Sequence, residues 1–249
     1  MIVTIMQPTY LPWMGYFDLI DQCDVFLFLD TVAFSRQSWQ QRNRILTAHG
    51  PLWLTVPVRH SSDGRISEME IDNSRPWRRK HWSTIEGAYR GAVHWKATAQ
   101  LLAPVYDRDW RSLAELNVTT IEALARQIGV GARFECASAI GQSPRRREGA
   151  LVDYCLELGA TTYLSPAGSF AYLESDLEFA KHGIELRFQH YEHPTYPQAA
   201  REFVPYLSVV DLLMATGPEA ASVIRRGRRG TRTFDEMRAV AGAGSEGDQ

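Results

Sequence analysis

Two polar segments carry most of the groups with which this chain could do chemistry: QPTYLPWMGYF at Gln7 to Phe17, and FLDTVAFSRQSWQQRNRI at Phe28 to Ile45. Gln7 follows an apolar run, and an amide at the end of a buried strand needs partners, so Gln7 and Tyr10 are candidate ligand contacts. Asp30 ends the run DVFLFLD, where a carboxylate serves as a base, as an anchor for a substrate amine, or merely as a cap on the next turn. Arg36, Trp39, Gln40, Arg42, Asn43 and Arg44 combine guanidinium forks with an indole. That mixture suits a phosphate, a carboxylate or a stacked base, and equally a solvated turn held by ion pairs. His81 lies in RPWRRKHW beside Arg78, Arg79 and Lys80, whose charge favours a neutral imidazole and hence a general base. Tyr89 follows in the same helical segment, on a stripe with Trp82 and Ile85.

Further along, FQHYEHPTYPQ carries Gln189, Tyr191 and His193, and the loop after TTYL starts at Ser165 with residues that could turn backbone N–H groups toward an anion. Alternation along an extended segment sets Gln189 and Tyr191 on one face and His190 on the other. The H-Y-E-H spacing is too common to mark a metal site, and no metal or cofactor is expected. Trp13 and Phe17 read as core, Cys155 as inert packing within a helix, and His49, His94 and His182 as structural.

The elements that must position these groups follow from periodicity. Ile2 to Met6 and Val25 to Asp30 read as buried strands with a helix at Met14 to Gln22 between them, and the second is apolar on both faces, as a central parallel strand is. Pro51 to Val58 reads as a strand, followed by a polar loop at Ser61 to Gly64 and a short alternating run at Ile66 to Ile71. From 75 to 130 the texture is helical, forming a subdomain or lid. Strands are expected at Phe134 to Ala139, Thr161 to Ser165 and Ile184 to Tyr191, with helices at Arg146 to Leu158, Leu173 to His182 and Val204 to Ala215. The fold class is therefore α/β, a Rossmann-like, mostly parallel sheet with a helical insertion, in one domain over 1–220. Residues 221–249, basic and then glycine-rich, are expected to be a mobile tail. In such a sheet the first strands present their carboxyl ends along one edge, so Gln7, Asp30, Ser165 and Gln189 or Tyr191 are expected to line one cleft, with His81 and Tyr89 folded over it.

Composition narrows the class of partner. The chain has 249 residues, 45% hydrophobic, with 27 Lys+Arg against 29 Asp+Glu, so no global field recruits nucleic acid or an anionic membrane. No long apolar window or leader pattern is present, and three cysteines without paired spacing fit a reducing compartment, so a cytoplasmic protein acting on a small molecule is expected.

The blocks MQPTYLPWMGYFDLID, FLDTVAFSRQSWQQRNRI, WLTVPV, the Trp77 to Trp82 element, TTYLSPAGSFAYL, FQHYEHPTYPQ and FVPYLSVVDLL together resemble the WbqC-like protein family over about residues 1 to 217. The resemblance implies a place in bacterial polysaccharide or natural-product biosynthesis, and amide formation by attaching small amino-acyl groups such as glycyl to amino sugars. An aminoacyl thioester on a carrier protein, or an aminoacyl-tRNA, would then be the donor. His81 or Asp30 would take the amine proton, while Gln7, Arg42 and Asn43 orient the acceptor. The first loop also resembles the H-x-G-H nucleotidyltransferase folds distantly, which implies an ATP-dependent nucleotidyltransferase or ligase. Leu11 to Tyr16, however, lacks both histidines of that signature. A non-catalytic module binding a carrier protein or sugar is the third reading.

Overall fold

A computed structural model describes residues 1–59 and 64–245. Its centre is a six-stranded sheet in the order β5-β2-β1-β6-β7-β8, with β1 at Ile2–Met6, β2 at Val25–Phe28, β5 at Arg133–Cys136, β6 at Thr162–Ser165, β7 at Glu185–Tyr191 and β8 at Arg228–Arg232. The first five are mutually parallel, and β8 runs antiparallel to β7. The register pairs Val3 with Val25 and with Tyr163, so β1 is flanked on both sides. The expected neighbours β2, β1, β6 and β7 are thus adjacent in that order.

Burial explains why these strands are apolar throughout. All four residues of β2 are buried, and alternation sends Phe26 and Phe28 into one core and Val25 and Leu27 into the other. The first core contains α1 (Met14–Gln22), α2 (Trp77–Tyr89), α3 (Trp95–Asp107), α4 (Leu113–Ile128), α8 (Val209–Thr216) and α9 (Ala220–Arg226). The second is closed by α6 (Glu148–Glu157), α7 (Leu177–Ala180) and Phe234 of α10 (Phe234–Ser245). A one-turn helix, α5 (Ala137–Ile140), follows β5.

Helix α4 shows how local sequence sets the boundaries. The Ser112 hydroxyl accepts from the Glu115 amide at its start, and Gly129, at φ 83°, ends it in the left-handed conformation that glycine adopts at little cost. Its apolar stripe, Leu113, Leu116, Ile121, Leu124 and Ile128, is buried.

Several elements depart from expectation. The Arg42 to Ile45 stretch is not a loop: β3 (Arg42–Thr47) and β4 (Gly50–Thr55) form a separate antiparallel hairpin. Ile66–Glu68 is a 3₁₀ turn rather than part of a strand, and the polar loop at 61–63 lies outside the described residues. Helices α2 to α4 enter the main core instead of standing apart as a lid. The basic run read as a loose tail folds as α9, β8 and α10, while 246–249 lie outside the described residues. Strand β8 has no large apolar residue, and it is fastened by charge: Arg228 Nε donates to Asp18 Oδ1 at 2.9 Å and its Nη2 to Asp21 Oδ2 at 2.5 Å. Among the described residues no helix is long and apolar enough to cross a membrane.

Asp18 is fully buried, and its Oδ2 also accepts from Gln22 at 2.6 Å and Gln189 at 2.7 Å. Asp18→Ala removes the buried carboxylate shared by Arg228, Gln22 and Gln189, leaving Gln189 only the Gly15 carbonyl, and is expected to cost about 3 kcal/mol, read from the urea midpoint. A loss within 1 kcal/mol, estimated as for an exposed site, would show that β8 is held by something else.

Candidate functional site

Strand order reverses at β1: the chain moves outward through β2 and β5, then returns to start β6 on the other side. A crevice opens at such a switch point, outside the carboxyl ends of the strands, because the loops on either side diverge. Here it is a cleft of about 1520 Å³. Its floor is Ile5 to Gln7, Thr9 and Tyr163; one wall is Leu29, Thr31 to Ala33, Ser38 to Gln40 and Arg65. The facing residues come from the loop 142–147, the start of α6, and the 3₁₀ turn Ala167–Ala171 with Tyr172 to Glu174.

Gln7 stands at the floor as an exposed side chain with a fixed orientation. Its Oε1 accepts from Gln40 Nε2 at 2.8 Å, and Gln40 is held in turn by accepting from the Ser35 amide at 2.7 Å. That bond engages the Gln7 Oε1 and leaves its NH₂ on the exposed side of the amide. Trp39 also lines the cleft, 47% exposed, with its ring 5.3 Å from that of Trp53. Ser169 shares a 2.5 Å hydrogen bond with Ser165, and Tyr154 shares one of 3.2 Å with Thr31.

The loops around the cleft hold unusual backbone. Leu11, Gln37 and Arg147 all have positive φ, at 46°, 55° and 52°, one in each of the segments following β1, β2 and β5. Each such residue costs on the order of 1 kcal/mol and persists only where its surroundings over-determine it. Gly149 has a packing reason: a Cβ there would lie 3.1 Å from the Cβ of Arg145, which runs across the first turn of α6.

Most of the other candidate residues turn inward. Asp30 lies at the expected edge, but both carboxylate oxygens are taken by Ser138, Oδ1 by its amide at 2.9 Å and Oδ2 by its hydroxyl at 2.5 Å. It holds the start of α5 and does not line the cleft. Ser165 is wholly buried behind Ser169. Asn43 donates to the Leu11 carbonyl at 2.7 Å, and Arg42 covers the Trp53 ring at 4.3 Å, both away from the lining. Arg36 is exposed and outside it.

Gln189, Tyr191 and His193 belong to the α1 side of the sheet. Gln189 donates to Gly15 and Asp18, Tyr191 donates to the Ile224 carbonyl at 3.0 Å, and the His193 ring stacks on Trp13 at 5.8 Å. Tyr89 accepts from the Leu46 amide and donates to Asp211, joining Tyr196 and Gln198 around one buried carboxylate.

His81 is separated from the cleft altogether. Its Nδ1 lies 2.9 Å from the Tyr10 hydroxyl, which is 2.7 Å from that of Tyr106, and all three side chains are buried. The imidazole borders a small cavity of about 170 Å³ with Thr55, Pro57, Arg75 to Trp77 and Lys80. It is neutral because burial pushes its pKa down to about 4, and not through its basic neighbours. Trp77 and Trp82 pack around this group and exclude water from the core.

The sequence reading missed the cleft's cations, Arg65 and Arg145 to Arg147. Their signal was the run QSPRRRE, which reads as the start of a helix until the positive φ of Arg147 shows the chain turning there. Among the described residues no three of His, Cys, Asp and Glu converge as metal ligands.

Comparison with known proteins adds a lineage to this geometry. The model of the WbqC-like protein family matches residues 7–223. The uncharacterized protein Rv1507c of Mycobacterium tuberculosis is 32% identical over 231 residues, 90% of this chain and 97% of that protein. No solved structure matches.

The burial of His81 has a pH signature. Its folded pKa of about 4 lies below the ordinary 6.5, so the folded state binds fewer protons than the unfolded state between those values. Stability is undiminished above pH 6.5 and falls as pH drops through about 4, by about 3 kcal/mol at most. His193, also lowered by burial, contributes in the same direction. Urea titrations from pH 4 to 7 should show this slope, and His81→Gln should remove most of it; an unchanged slope in the variant would place the titration elsewhere.

Proposed function

The chain belongs to the WbqC-like protein family, and from that membership and the switch-point cleft we propose an acyl or aminoacyl transferase that forms an amide on an amino sugar or related intermediate. The observation that carries this reading is the size and position of the cleft. Single-ligand sites run to roughly 300–1,000 Å³, whereas this cleft of about 1520 Å³ has room for a donor and an acceptor side by side.

In the reaction the acceptor amine attacks the donor's carbonyl carbon. A C–N bond forms, the C–S or C–O bond to the donor's leaving group breaks, and the amine proton leaves with that group. His81 and Asp30 are engaged elsewhere, so the acceptor enters as the neutral amine and the chain contributes position and charge stabilisation. Gln7, fixed through Gln40, offers its NH₂ to the developing oxyanion. Tyr172, exposed on the lining, offers its hydroxyl to the acceptor, with Ser169 held behind it by Ser165 and the Pro166 carbonyl.

The switch-point topology also favours nucleotide binding, which keeps an ATP-dependent nucleotidyltransferase as a second reading. It differs in requiring magnesium and releasing pyrophosphate, which a coupled phosphate assay detects.

Purified protein mixed with a glycyl thioester or glycyl-tRNA and an amino sugar nucleotide is expected to give a product heavier by one glycyl residue in mass spectrometry. Gln7→Ala should lower kcat about 100-fold, as loss of one oxyanion donor does, with KM nearly unchanged. No mass shift with either donor, or full activity in Gln7→Ala, would count against the transferase and its assigned oxyanion group respectively.

A further inference from the structure

On the reading that the cleft is the site, we infer that one substrate arrives as a nucleoside diphosphate conjugate, its base stacked on Trp39 and its diphosphate held by Arg65 and Arg146.

The charge balance of the lining comes first. It contains four arginines and, of opposite sign, only Glu174, although the whole chain carries a formal charge of −2. Two of these arginines are already used: Arg145 binds Asp153 and, at 3.0 Å, Glu178, while Arg147 binds Glu174 at 2.8 Å. Arg65 and Arg146 have no ion-pair partner among the described residues. They come from separate loops, Arg65 bridged by its backbone to Ala33 after β2, and Arg146 between α5 and α6. Two unpaired guanidiniums from separate loops on one cleft suit a ligand with two phosphates better than one with a single carboxylate.

The way in which this fold ordinarily holds a diphosphate is closed. In dinucleotide-binding sheets the pyrophosphate rests on backbone N–H groups where the first loop enters the first helix. Here Pro8 and Pro12 have no N–H, and the Tyr10 amide donates to the Trp39 carbonyl at 2.9 Å. The start of α1 is also covered, because the Trp13 indole occupies the space where a Cβ of Gly15 would stand, 2.2 Å from it. The first loop therefore leaves a phosphate little backbone to rest on, and the cationic side chains on the lining without an ion-pair partner among the described residues are Arg65 and Arg146.

Trp39 supplies the other half. Its ring lines the cleft, is half exposed, and leans on Trp53, which is itself covered by Arg42 at 4.3 Å. This backing keeps the indole from sinking into the core and leaves it available to a flat ring.

The test is a tryptophan-fluorescence titration of the full chain with UDP, ADP, CDP and GDP, with inorganic phosphate as the control anion. At least one nucleoside diphosphate should saturate, at least ten-fold more tightly than phosphate. Arg146→Glu and Arg65→Glu should each weaken it ten-fold or more, and Trp39→Leu should weaken it and remove the quench. Both Arg146 and Trp39 are exposed, and an unchanged thermal midpoint in those variants keeps folding out of the comparison. No saturation by any of the four, affinity no better than for phosphate, or binding indifferent to Arg146→Glu and Trp39→Leu would overturn the inference. Nucleotide binding that tracks these residues without any acyl transfer would sink the proposed reaction alone. Transfer to a nucleotide-free amino sugar, with no nucleotide bound, would sink this inference alone.

Discussion

The segment that follows β1 is buried for much of its length, and buried carbonyls outside a ladder must find donors. Asn117, in the middle of α4 and fully buried, supplies them: its Nδ2 donates to Pro8 O at 3.1 Å and to Gln40 O at 2.8 Å. One side-chain amide thus fastens the loop after β1 to the loop after β2. Asn43 ties the Leu11 carbonyl to the hairpin, Gln41 donates to the Val56 carbonyl, and Gln40 joins Gln7. The positive φ of Leu11 and Gln37 is tolerated inside this amide mesh. The position of Gln7 and Trp39 in the cleft depends on it.

The sheet was legible because parallel strands buried on both faces announce themselves. Ile2–Met6 and Val25–Phe28 are short apolar runs ending at turn residues, and their order with β6 and β7 follows from the rules for open sheets. The hairpin was not legible as such, because Arg42, Asn43 and Arg44 resemble a solvated turn until Trp53 is seen beneath both guanidiniums. Strand β8 was hidden for a related reason, since its pairing depends on Asp18 and Asp21, some two hundred residues earlier.

The site was half legible. Topology places Gln7, Asp30 and Ser165 along one edge, but a sequence does not show which of several polar groups is already satisfied. Ser138 takes Asp30, Ser169 takes Ser165, and only Gln7 is left facing outward. His81 illustrates the same limit: a histidine among basic residues looks reactive, whereas its partners are two buried phenols. The helices that carry it fill the main core, so the cleft is walled by loops and by α6 instead.

Strand β8 has a consequence for the behaviour of the protein in solution. An open sheet ends in strands whose outer N–H and C=O groups invite another sheet to add to them. Here one end is β8, with Arg228, Arg229 and Arg232, and the other is β5, with Arg133 and Glu135. Arg228 and Arg229 are held by carboxylates of their own chain, so two copies meeting through β8 would have to bury or break these ion pairs, and Gly230 at φ 90° breaks the straight edge that stacking needs. The basic segment thereby acts against edge-to-edge association, so that a short strand poor in apolar residues closes the sheet without becoming a seed for aggregation.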